Sequence, residues 1–319
     1  MRLFQDASYK FIEMRRAAYV VSAVVVLAGI AAMVWNVVSI GAWQNYGVDF
    51  TGGSLVQVRF EQPMTVGELR DVIASPGTEI TRFGDEGYEF VIRAPLEEEA
   101  SITQVAEGIE QQIRSGLPNR SLEVVRTELV GAKVGGELQQ KAGLAVLFSF
   151  VLTLIYLAIR FELRFGLAAV IATAHDILVT LGFLALFRVE IALPTVAAIL
   201  TILGYSLNDT IVVFDRIREN LNMKGARKRD PVELVNQSIN ETLPRTILTS
   251  GTTLAVLFAL LLLGGAVIRD FTIVLILGVL VGTYSSIFVA SPALIEIQKR
   301  WGLGSTGAEK KKRPEPATV

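Results

Sequence analysis

The sequence predicts a polytopic α-helical membrane protein with six transmembrane helices and one α+β ferredoxin-like extracytoplasmic domain between helices 1 and 2. Three observations lead to this fold class. The 319 residues are 51% hydrophobic with a mean hydropathy of +0.48, more apolar than a soluble protein of this size. Six apolar runs are long enough to cross a bilayer of about 30 Å. One long polar segment, residues 41–141, separates the first run from the other five.

The predicted spans divide the chain. In order they are Ala17–Val37, Ala142–Ile159, Phe165–Phe187, Ile191–Val213, Thr246–Ile268 and Phe271–Ala293. We therefore expect a cytoplasmic N-terminal segment (1–16), helix 1 (17–40), a periplasmic domain (41–141), helices 2–6 (142–293) with a cytoplasmic loop at 216–244, and a basic cytoplasmic tail (294–319).

The distribution of Lys and Arg predicts the orientation, because short cytoplasmic flanks carry an excess of these residues. With the N-terminus in the cytoplasm, most of the 30 Lys and Arg fall on that side, whereas the two short loops opposite carry one each, Arg188 and Arg269. Both termini are thus predicted to be cytoplasmic. The acidic excess of residues 41–141 argues against nucleic-acid binding.

The first apolar run is predicted to be an uncleaved anchor. It is too long for the apolar region of a signal peptide, and no convincing small-residue cleavage site follows it before Trp35 and Trp43. Residues 1–16 either form a surface helix or are a frayed tail that only sets topology; the apolar side of that helix would be Leu3, Phe4, Phe11 and Ile12.

Residues 41–141 show strand and helix patterns in the order β-α-β-β-α-β, which is typical of a ferredoxin-like sandwich. The predicted elements are strand Ser54–Phe60, helix Val66–Ala74, strands Thr78–Phe83 and Tyr88–Arg93 joined across Gly84–Gly87, helix Ile102–Arg114 capped by Ser101, and strand Leu122–Leu129. The segment contains no histidine, no nucleophile–base pair and no metal-ligand cluster. We therefore interpret it as a binding surface and not as an enzyme.

Two glycine-rich stretches flank this domain. In Gly47–Ser54 we expect a tight turn, where Gly52 and Gly53 permit positive φ and Asp49 caps local amides. Leu129–Leu138 is predicted to be an elbow that leads into the second span.

His175 and Asp176 are adjacent near the middle of the third span. A buried His is usually a hydrogen-bonded core residue, and that is the first interpretation. Two neighbouring titratable groups at that depth are costly, however, and the second interpretation places them on a hydrated proton path.

The fourth span carries a polar stripe along one helical face: Thr201, Tyr205, Asn208, Asp209 and Val212. We expect this face to point into the bundle or a water-filled crevice. Helix–helix hydrogen bonding accounts for Thr201 and Asn208. It accounts poorly for Asp209, because an amide side chain would make the same hydrogen bonds between helices without the free-energy cost of a charge in the membrane. A carboxylate at this position therefore predicts a functional role.

Arg245 in the fifth span is the predicted partner of Asp209. It follows Pro244, which we expect to start that helix, and Thr249, Thr252 and Thr253 continue its face. An arginine beside Asp209 would hold the carboxylate ionised, and if it moved away Asp209 would take up a proton. The alternative is that Arg245 is an ordinary cytoplasmic anchor.

Two further sets of residues have simpler interpretations. Asp215, Arg216, Arg218 and Glu219 are predicted to form a solvated face with i, i+3 and i, i+4 pairs that docks the 227–231 loop. Gly278, Gly282, Ser285, Ser286 and Ala290 make a small-residue face for close helix packing.

Three stretches resemble the SecF family, membrane subunits of the bacterial SecDF protein-export complex and relatives of the RND transporters. They are Gly47–Ser54 (G-x-D-F-T-G-G), Gly204–Asn220 (G-Y-S-x-N-D-T-I-V-V-x-D-R-I-R-E-N) and Leu243–Thr253. The resemblance covers nearly the whole chain. It departs at the elbow, where Ala132 replaces a proline that is frequent in the family.

The resemblance implies that Asp209 and Arg245 are a proton-relay pair. The residue pattern itself offers candidates for accessory polar residues: Asn208, Tyr205, Thr201, His175, Asp176 and Asp215. The resemblance further implies half of a twelve-span unit in the bacterial inner membrane, completed by SecD and working beside the SecYEG channel. The expected function is export of translocating polypeptide driven by the proton motive force, without cofactor or metal.

Two other functions would share these features. Half of an RND-type small-molecule exporter would carry the same relay but a much larger outer domain with a substrate cleft. A passive assembly scaffold would tolerate Asp209→Asn. An intramembrane protease is excluded, because the sequence has no Ser/His dyad placed across helices and no H-E-x-x-H motif.

Overall fold

The computed structural model describes residues 8–73, 78–83, 87–94, 102–223, 229–265 and 268–301. The chain divides into two compact units. The helical unit comprises Met1–Trp43, Leu147–Phe187 and Ala197–Val319, and the sheet unit comprises Gln44–Val146 and Arg188–Val196.

In the part of the chain that the structure describes, six helices are long and apolar enough to span a membrane, which confirms the predicted number. They are α1 (Arg15–Ile40, after a 3₁₀ turn Ile12–Met14), α5 (Ala132–Arg160), α6 (Leu163–Phe187), α7 (Leu193–Asn222), α8 (Pro231–Leu263) and α9 (Arg269–Ser285), which continues into α10 (Ser291–Trp301).

The start of α8 differs from the prediction. Pro244 does not begin this helix but lies inside it. The helix starts at Pro231, because the Asp230 carboxylate accepts a hydrogen bond from the Val232 N–H (3.1 Å) and a proline is well suited to the first helical position. Arg245 therefore lies in mid-helix, well past the first turn.

Close approach of α1 and α6 holds the first span in the helical unit. A Cβ added at Gly29 would stand 2.6 Å from the Cα of Gly182, so the two backbones meet at a pair of glycines. Nearer the C-terminal end of α1, the buried Asn36 side-chain amide donates to the carbonyl of Ala185 (2.9 Å). One hydrogen bond and one close crossing thus fix this helix pair.

An aromatic cluster packs the other end of α6 against α7. Phe161, Phe165 and Phe214 are buried, with ring centroids 5.3–6.2 Å apart. The two pairs that include Phe214 are edge-to-face, an arrangement that contributes about 0.5–1.5 kcal/mol beyond the burial of the rings.

The last span packs on α7 through its small residues, as predicted. A Cβ at Gly278 would clash with the side chain of Ile202, and one at Gly282 would press on Ser206. After Ser285 the helix widens into a π-helical segment, Ser286–Ala290, and Ser291 Oγ donates to the Ser286 carbonyl (2.8 Å). Such π segments often occur at functional sites.

The sheet unit holds the predicted succession of strands and helices. The elements are β2 (Gly53–Phe60), α3 (Val66–Val72), β3 (Glu79–Phe83), β4 (Glu89–Ala94), α4 (Ile102–Gly116) and β5 (Leu122–Val130). Their four strands form an antiparallel sheet in the order β3-β4-β2-β5. Its core comprises Val56, Val58, Phe60, Leu69, Phe90, Ile92, Ile109 and Ile113. The expected Ser101 cap and residues 84–86 of the Gly84–Gly87 turn lie outside the described residues, as do residues 1–7 and 302–319.

A capping box starts α3. Thr65 Oγ1 accepts from the Glu68 N–H (3.3 Å), while the Thr65 N–H donates to the Glu68 carboxylate (2.7 Å). That backbone hydrogen bond, followed by the Thr65 hydroxyl, holds the pKa of Glu68 below its usual value. This cap was not among the elements predicted from the sequence.

The predicted glycine turn contains one helical turn, α2 (Val48–Thr51), between a two-residue strand β1 (Asn45–Tyr46) and β2. Gly52 (φ +73°) and Gly53 (φ +121°) have the positive φ expected of them. The role expected of Asp49 was wrong: its carboxylate accepts from the distant Leu193 N–H at the start of α7. Nearby, β1 pairs in parallel with β6 (Glu190–Ile191).

The predicted elbow is shorter than expected. Strand β5 ends at Val130 and α5 begins at Ala132, so only Gly131 separates them. Gly135 lies in the first turns of α5, where a Cβ would stand 2.8 Å from the Gly52 N and 2.9 Å from the Phe50 carbonyl. The absence of a side chain at Gly135 therefore lets α5 pack directly on the α2 turn.

Candidate functional site

Asp209 lies at the meeting point of three helices. Its side chain on α7 is buried, with 7% of the residue exposed. Thr246 of α8 donates its hydroxyl to Oδ1 (2.6 Å), and Ser286 of the π segment donates to Oδ2 (2.5 Å). Both carboxylate oxygens thus have a neutral hydroxyl donor from a different helix.

Arg245, the predicted partner, makes no ion pair with Asp209 in the part of the chain that the structure describes. Its side chain is exposed, although it is near enough to act on the Asp209 charge electrostatically. The neighbouring residue, Thr246, makes the direct contact instead. The structure therefore brings the two predicted residues into one region without joining them.

The predicted polar stripe on α7 divides into two parts. Tyr205 points inward, and its hydroxyl donates to Ser250 Oγ (3.3 Å), which is hydrogen-bonded to Thr283 (2.7 Å). Thr201 and Asn208 are exposed, and the Thr201 hydroxyl donates to the carbonyl of Ala197 in its own helix. These two residues therefore do not face the interior of the described helical unit, and the alternative expectation, a water-filled crevice, stays a prediction for them.

Asp176 is a second buried carboxylate, with 1% of the residue exposed. Ser206 of α7 and Ser285 of α9 (2.7 Å) donate to its Oδ2, and His175 Nδ1 lies 2.9 Å from its Oδ1. His175 and Asp176 are thus hydrogen-bonded core residues, as the first interpretation held. The Asp176 and Asp209 sites both include residues of α7 and of the last span, where Ser285 and Ser286 are consecutive.

Ser285 and Ser286 are the residues that sequence reasoning missed. They were assigned to packing, yet each donates to a carboxylate: Ser285 to Asp176 and Ser286 to Asp209. Both are fully buried where α9 widens into the π segment. The signal in the sequence is a hydroxyl pair in an apolar helix, in a chain where two other helices carry carboxylates.

Asp215 belongs to a separate polar network. Its carboxylate pairs with Arg160 (2.9 Å) and Arg218 (3.2 Å), and Arg216 pairs with Glu219 (2.7 Å), so the predicted i, i+3 pairs on α7 are confirmed. Arg216 also pairs with Glu241 of α8. Of the expected docking loop, residues 227 and 228 lie outside the described residues.

Across the described ranges, no group of three or more His, Cys, Asp or Glu is placed to hold a metal ion. The chemistry that the two sites offer is hydrogen bonding and proton exchange at carboxylates lined by hydroxyls.

Comparison with known families gives two matches. Residues 111–300 match the model described as protein export membrane protein SecD/SecF, C-terminal, and residues 45–64 match the SecD/SecF GG motif. The second match contains the glycine turn around Gly52, and the first contains both carboxylate sites.

The chain is similar to the protein translocase subunit SecF of Gemmatimonas aurantiaca, with 44% identity over 94% of this chain and 90% of the relative. It is also similar to the SecF subunit of Desulfurispirillum indicum, with 43% identity over 91% of this chain and 92% of the relative. It is also similar to the crystal structure of SecDF, a translocon-associated membrane protein, from Thermus thermophilus (37% identity, TM-score 0.78, 94% of this chain). SecDF in a super-membrane-facing form matches with 38% identity, a TM-score of 0.64 and 92% of this chain. The chain spans only 40% and 39% of those two SecDF chains.

Proposed function

Because the chain belongs to the SecF family of protein translocase subunits, we propose that it pairs with SecD and uses the proton motive force to assist polypeptide export across the bacterial cytoplasmic membrane. The pair would act beside the SecYEG channel on the emerging polypeptide. The part of the SecDF chains that this chain does not cover would correspond to SecD. The relatives are named as a transport component, and we assign no enzymatic activity.

The proposed topology places both termini and segment 216–244, which holds the end of α7 and the start of α8, in the cytoplasm and residues 41–141 outside as a ferredoxin-like domain. The distribution of Lys and Arg supports the orientation. The strand order β3-β4-β2-β5, with two helices connecting the strands, supports the domain assignment. This domain would hold the polypeptide that leaves the channel.

The observation that carries the proposal is the surroundings of Asp209. A carboxylate inside a spanning helix costs several kcal/mol unless it is paired, neutralised or hydrated. Here Thr246 and Ser286, both neutral, are its direct partners. A hydroxyl donates to an ionised carboxylate and can also accept from a protonated one, so Asp209 can gain or lose a proton without breaking an ion pair.

Arg245 supplies the movable charge in this proposal. It precedes Thr246 on α8, so its long side chain starts beside the hydroxyl that contacts Asp209. When the guanidinium approaches, it favours the ionised carboxylate; when it withdraws, Asp209 takes a proton from the side that is open to water. Alternation between these two states would couple proton flow to helix movement.

The accessory residues have unequal support. Tyr205 extends the hydroxyl line through Ser250 and Thr283, and we assign it to the relay. Asn208 and Thr201 lie on the exposed side of α7, where the paired subunit would cover them. We assign Asp215 no part, because Arg160 and Arg218 already pair with it.

The test is preprotein export in cells whose only copy of the protein carries Asp209→Asn, with and without an uncoupler that abolishes the proton gradient. We expect the variant to lose the gradient-stimulated part of export, since Asn keeps the size of the side chain but cannot titrate. Glu219→Gln, which neutralises an exposed acid on the same helix, is the control and should export normally. Undiminished, gradient-dependent export with Asp209→Asn would contradict the proposal.

A further inference from the structure

The Asp176 site has features that helix packing does not require. A carboxylate in the middle of a spanning helix is more costly than an amide, and an Asn there would accept the same hydroxyl donors without a charge. The structure nevertheless places an acid at this position with almost no exposure, next to the only histidine of the chain.

The charges around Asp176 come from one residue. On α6 its titratable neighbour is His175, with Nδ1 2.9 Å from Oδ1. From α7 and α9 the described groups that contact it are the hydroxyls of Ser206 and Ser285. The His175–Asp176 pair is electrically neutral when it holds one exchangeable proton. That proton is either on the imidazole, with the acid ionised, or on the acid, with the imidazole neutral.

The second ring nitrogen of His175, Nε2, is buried and makes no hydrogen bond to any described residue. The imidazole lies against Tyr284 (ring centroids 6.3 Å apart), whose hydroxyl donates to the Ala18 carbonyl of α1. A buried ring nitrogen without a partner is costly in one fixed protonation state, but it is expected of a group that exchanges a proton.

A small cavity of about 10 Å³ borders Asp176 between α6 and α7, next to Thr173, Thr180 and Ser206. Its surface is apolar, and the hydroxyls of these three residues donate elsewhere: to the carbonyls of Ala169 and Asp176 and to the Asp176 carboxylate. The cavity therefore adds no polar partner to those that already contact Asp176.

The Asp176 and Asp209 sites are joined through both helices that they share. On α7, Ser206 lies three positions before Asp209, about one helical turn. On the other helix, Ser285 and Ser286 are consecutive, and each donates to one of the two carboxylates. A hydroxyl donates one proton to one acceptor at a time, so a protonation change at either acid reorients the serine that contacts it, and that serine is next in the chain to the serine of the other acid.

We propose that Asp176, together with His175, is a second proton-binding site of the helical unit, coupled to Asp209 through Ser285 and Ser286. Only O–H and N–H bonds form and break, with the proton drawn from water, so the step needs no redox partner. Proton binding at Asp176 stands by itself, whereas its use in export rests on the proposed function above.

The test is infrared difference spectroscopy on the full chain in lipid nanodiscs, stepped between high and low pH. Asp176→Asn should remove one protonated-carboxyl band that Asp209→Asn leaves in place, and Asp176→Glu should retain a shifted band. Ser285→Ala, which keeps both acids, should move the Asp176 band in frequency and in titration midpoint. An unchanged set of bands in Asp176→Asn, or an unmoved Asp176 band in Ser285→Ala, would overturn the inference.

The same variants separate this inference from the proposed function. If Asp209→Asn exports normally while the Asp176 band is present, the export proposal fails and the proton site stands. If Asp209→Asn abolishes gradient-driven export while no Asp176 band titrates, the second site alone is wrong. If the export proposal and the second proton site are both correct, export in cells that carry Asp176→Asn should no longer respond to the proton gradient. Export in cells that carry Asp176→Glu should respond in part.

Discussion

The carboxylate of Asp49 accepts a hydrogen bond (2.8 Å) from the backbone N–H of Leu193, 144 residues further along the chain. Leu193 is the first residue of α7, the helix that carries Asp209. An acid at a helix N-terminus satisfies an unpaired N–H and interacts favourably with the helix dipole. The acid of the glycine-rich turn thus serves as the distant cap of the helix that bears the proposed relay.

We expect Asp49→Ala to loosen the first turn of α7. Loss of an N-cap costs about 0.5–2 kcal/mol, so the amides of residues 193–196 should exchange with solvent roughly 2- to 30-fold faster. Asp49→Asn should have a much smaller effect, because Asn caps nearly as well as Asp. Hydrogen-exchange mass spectrometry on the purified full chain measures both. Asp71→Ala, at an exposed acid on α3, is the control, and equal exchange in all three variants would show that the cap carries no stability.

We expect Gly29→Ala to destabilise the helical unit. The new Cβ would stand 2.6 Å from the Cα of Gly182, so α1 and α6 would have to separate, at a cost of about 1–3 kcal/mol. Gly143→Ala is the matched control: nothing lies within 4 Å of a Cβ at that helix position, so the change should be neutral or stabilise by up to about 1 kcal/mol. Unfolding in detergent measures the difference, and equal midpoints would contradict the close crossing.

The sequence predicted the architecture because its signals are local. Hydropathy alone locates the six spans, and alternation locates the strands of the sheet unit. The fifth helix shows where a local signal misleads. Pro244 has the appearance of a helix start, but the Asp230–Pro231 pair upstream caps the helix better, and packing tolerates the internal proline.

The contacts that build the site were less predictable, since they depend on which helix faces meet. Asp209 stood out because an isolated acid in a membrane span is costly. Its serine and threonine partners did not, because small hydroxyl residues in spanning helices usually serve packing. The Asp49 cap was missed for the same reason: its acceptor and donor are far apart in sequence, and only the fold brings them together.

Arg245→Gln should leave stability nearly unchanged while it impairs gradient-driven export. In the described structure Arg245 is exposed and makes no ion pair with Asp209, so its loss should change the free energy of unfolding by no more than about 0.5 kcal/mol. Thr246→Val, which removes a donor from the buried acid, should cost about 1–3 kcal/mol. Unfolding of the purified chain in detergent compares the two. A loss of about 3–5 kcal/mol with Arg245→Gln would mean that the arginine is paired with Asp209 in the resting state.

Ser286→Ala should slow gradient-driven export although Asp209 is intact. The serine donates to Oδ2 of that acid, and a hydrogen bond worth about 1.4 kcal/mol in the rate-limiting step corresponds to a tenfold change in rate. Ser286→Thr keeps the hydroxyl and should retain most of the activity. Thr252→Ala, which removes an exposed hydroxyl bonded only within α8, is the control. The measurement is the export rate of a preprotein with and without an uncoupler. If Ser286→Ala exports at the normal rate with a full response to the gradient, the hydroxyl only fills space between α9 and α7.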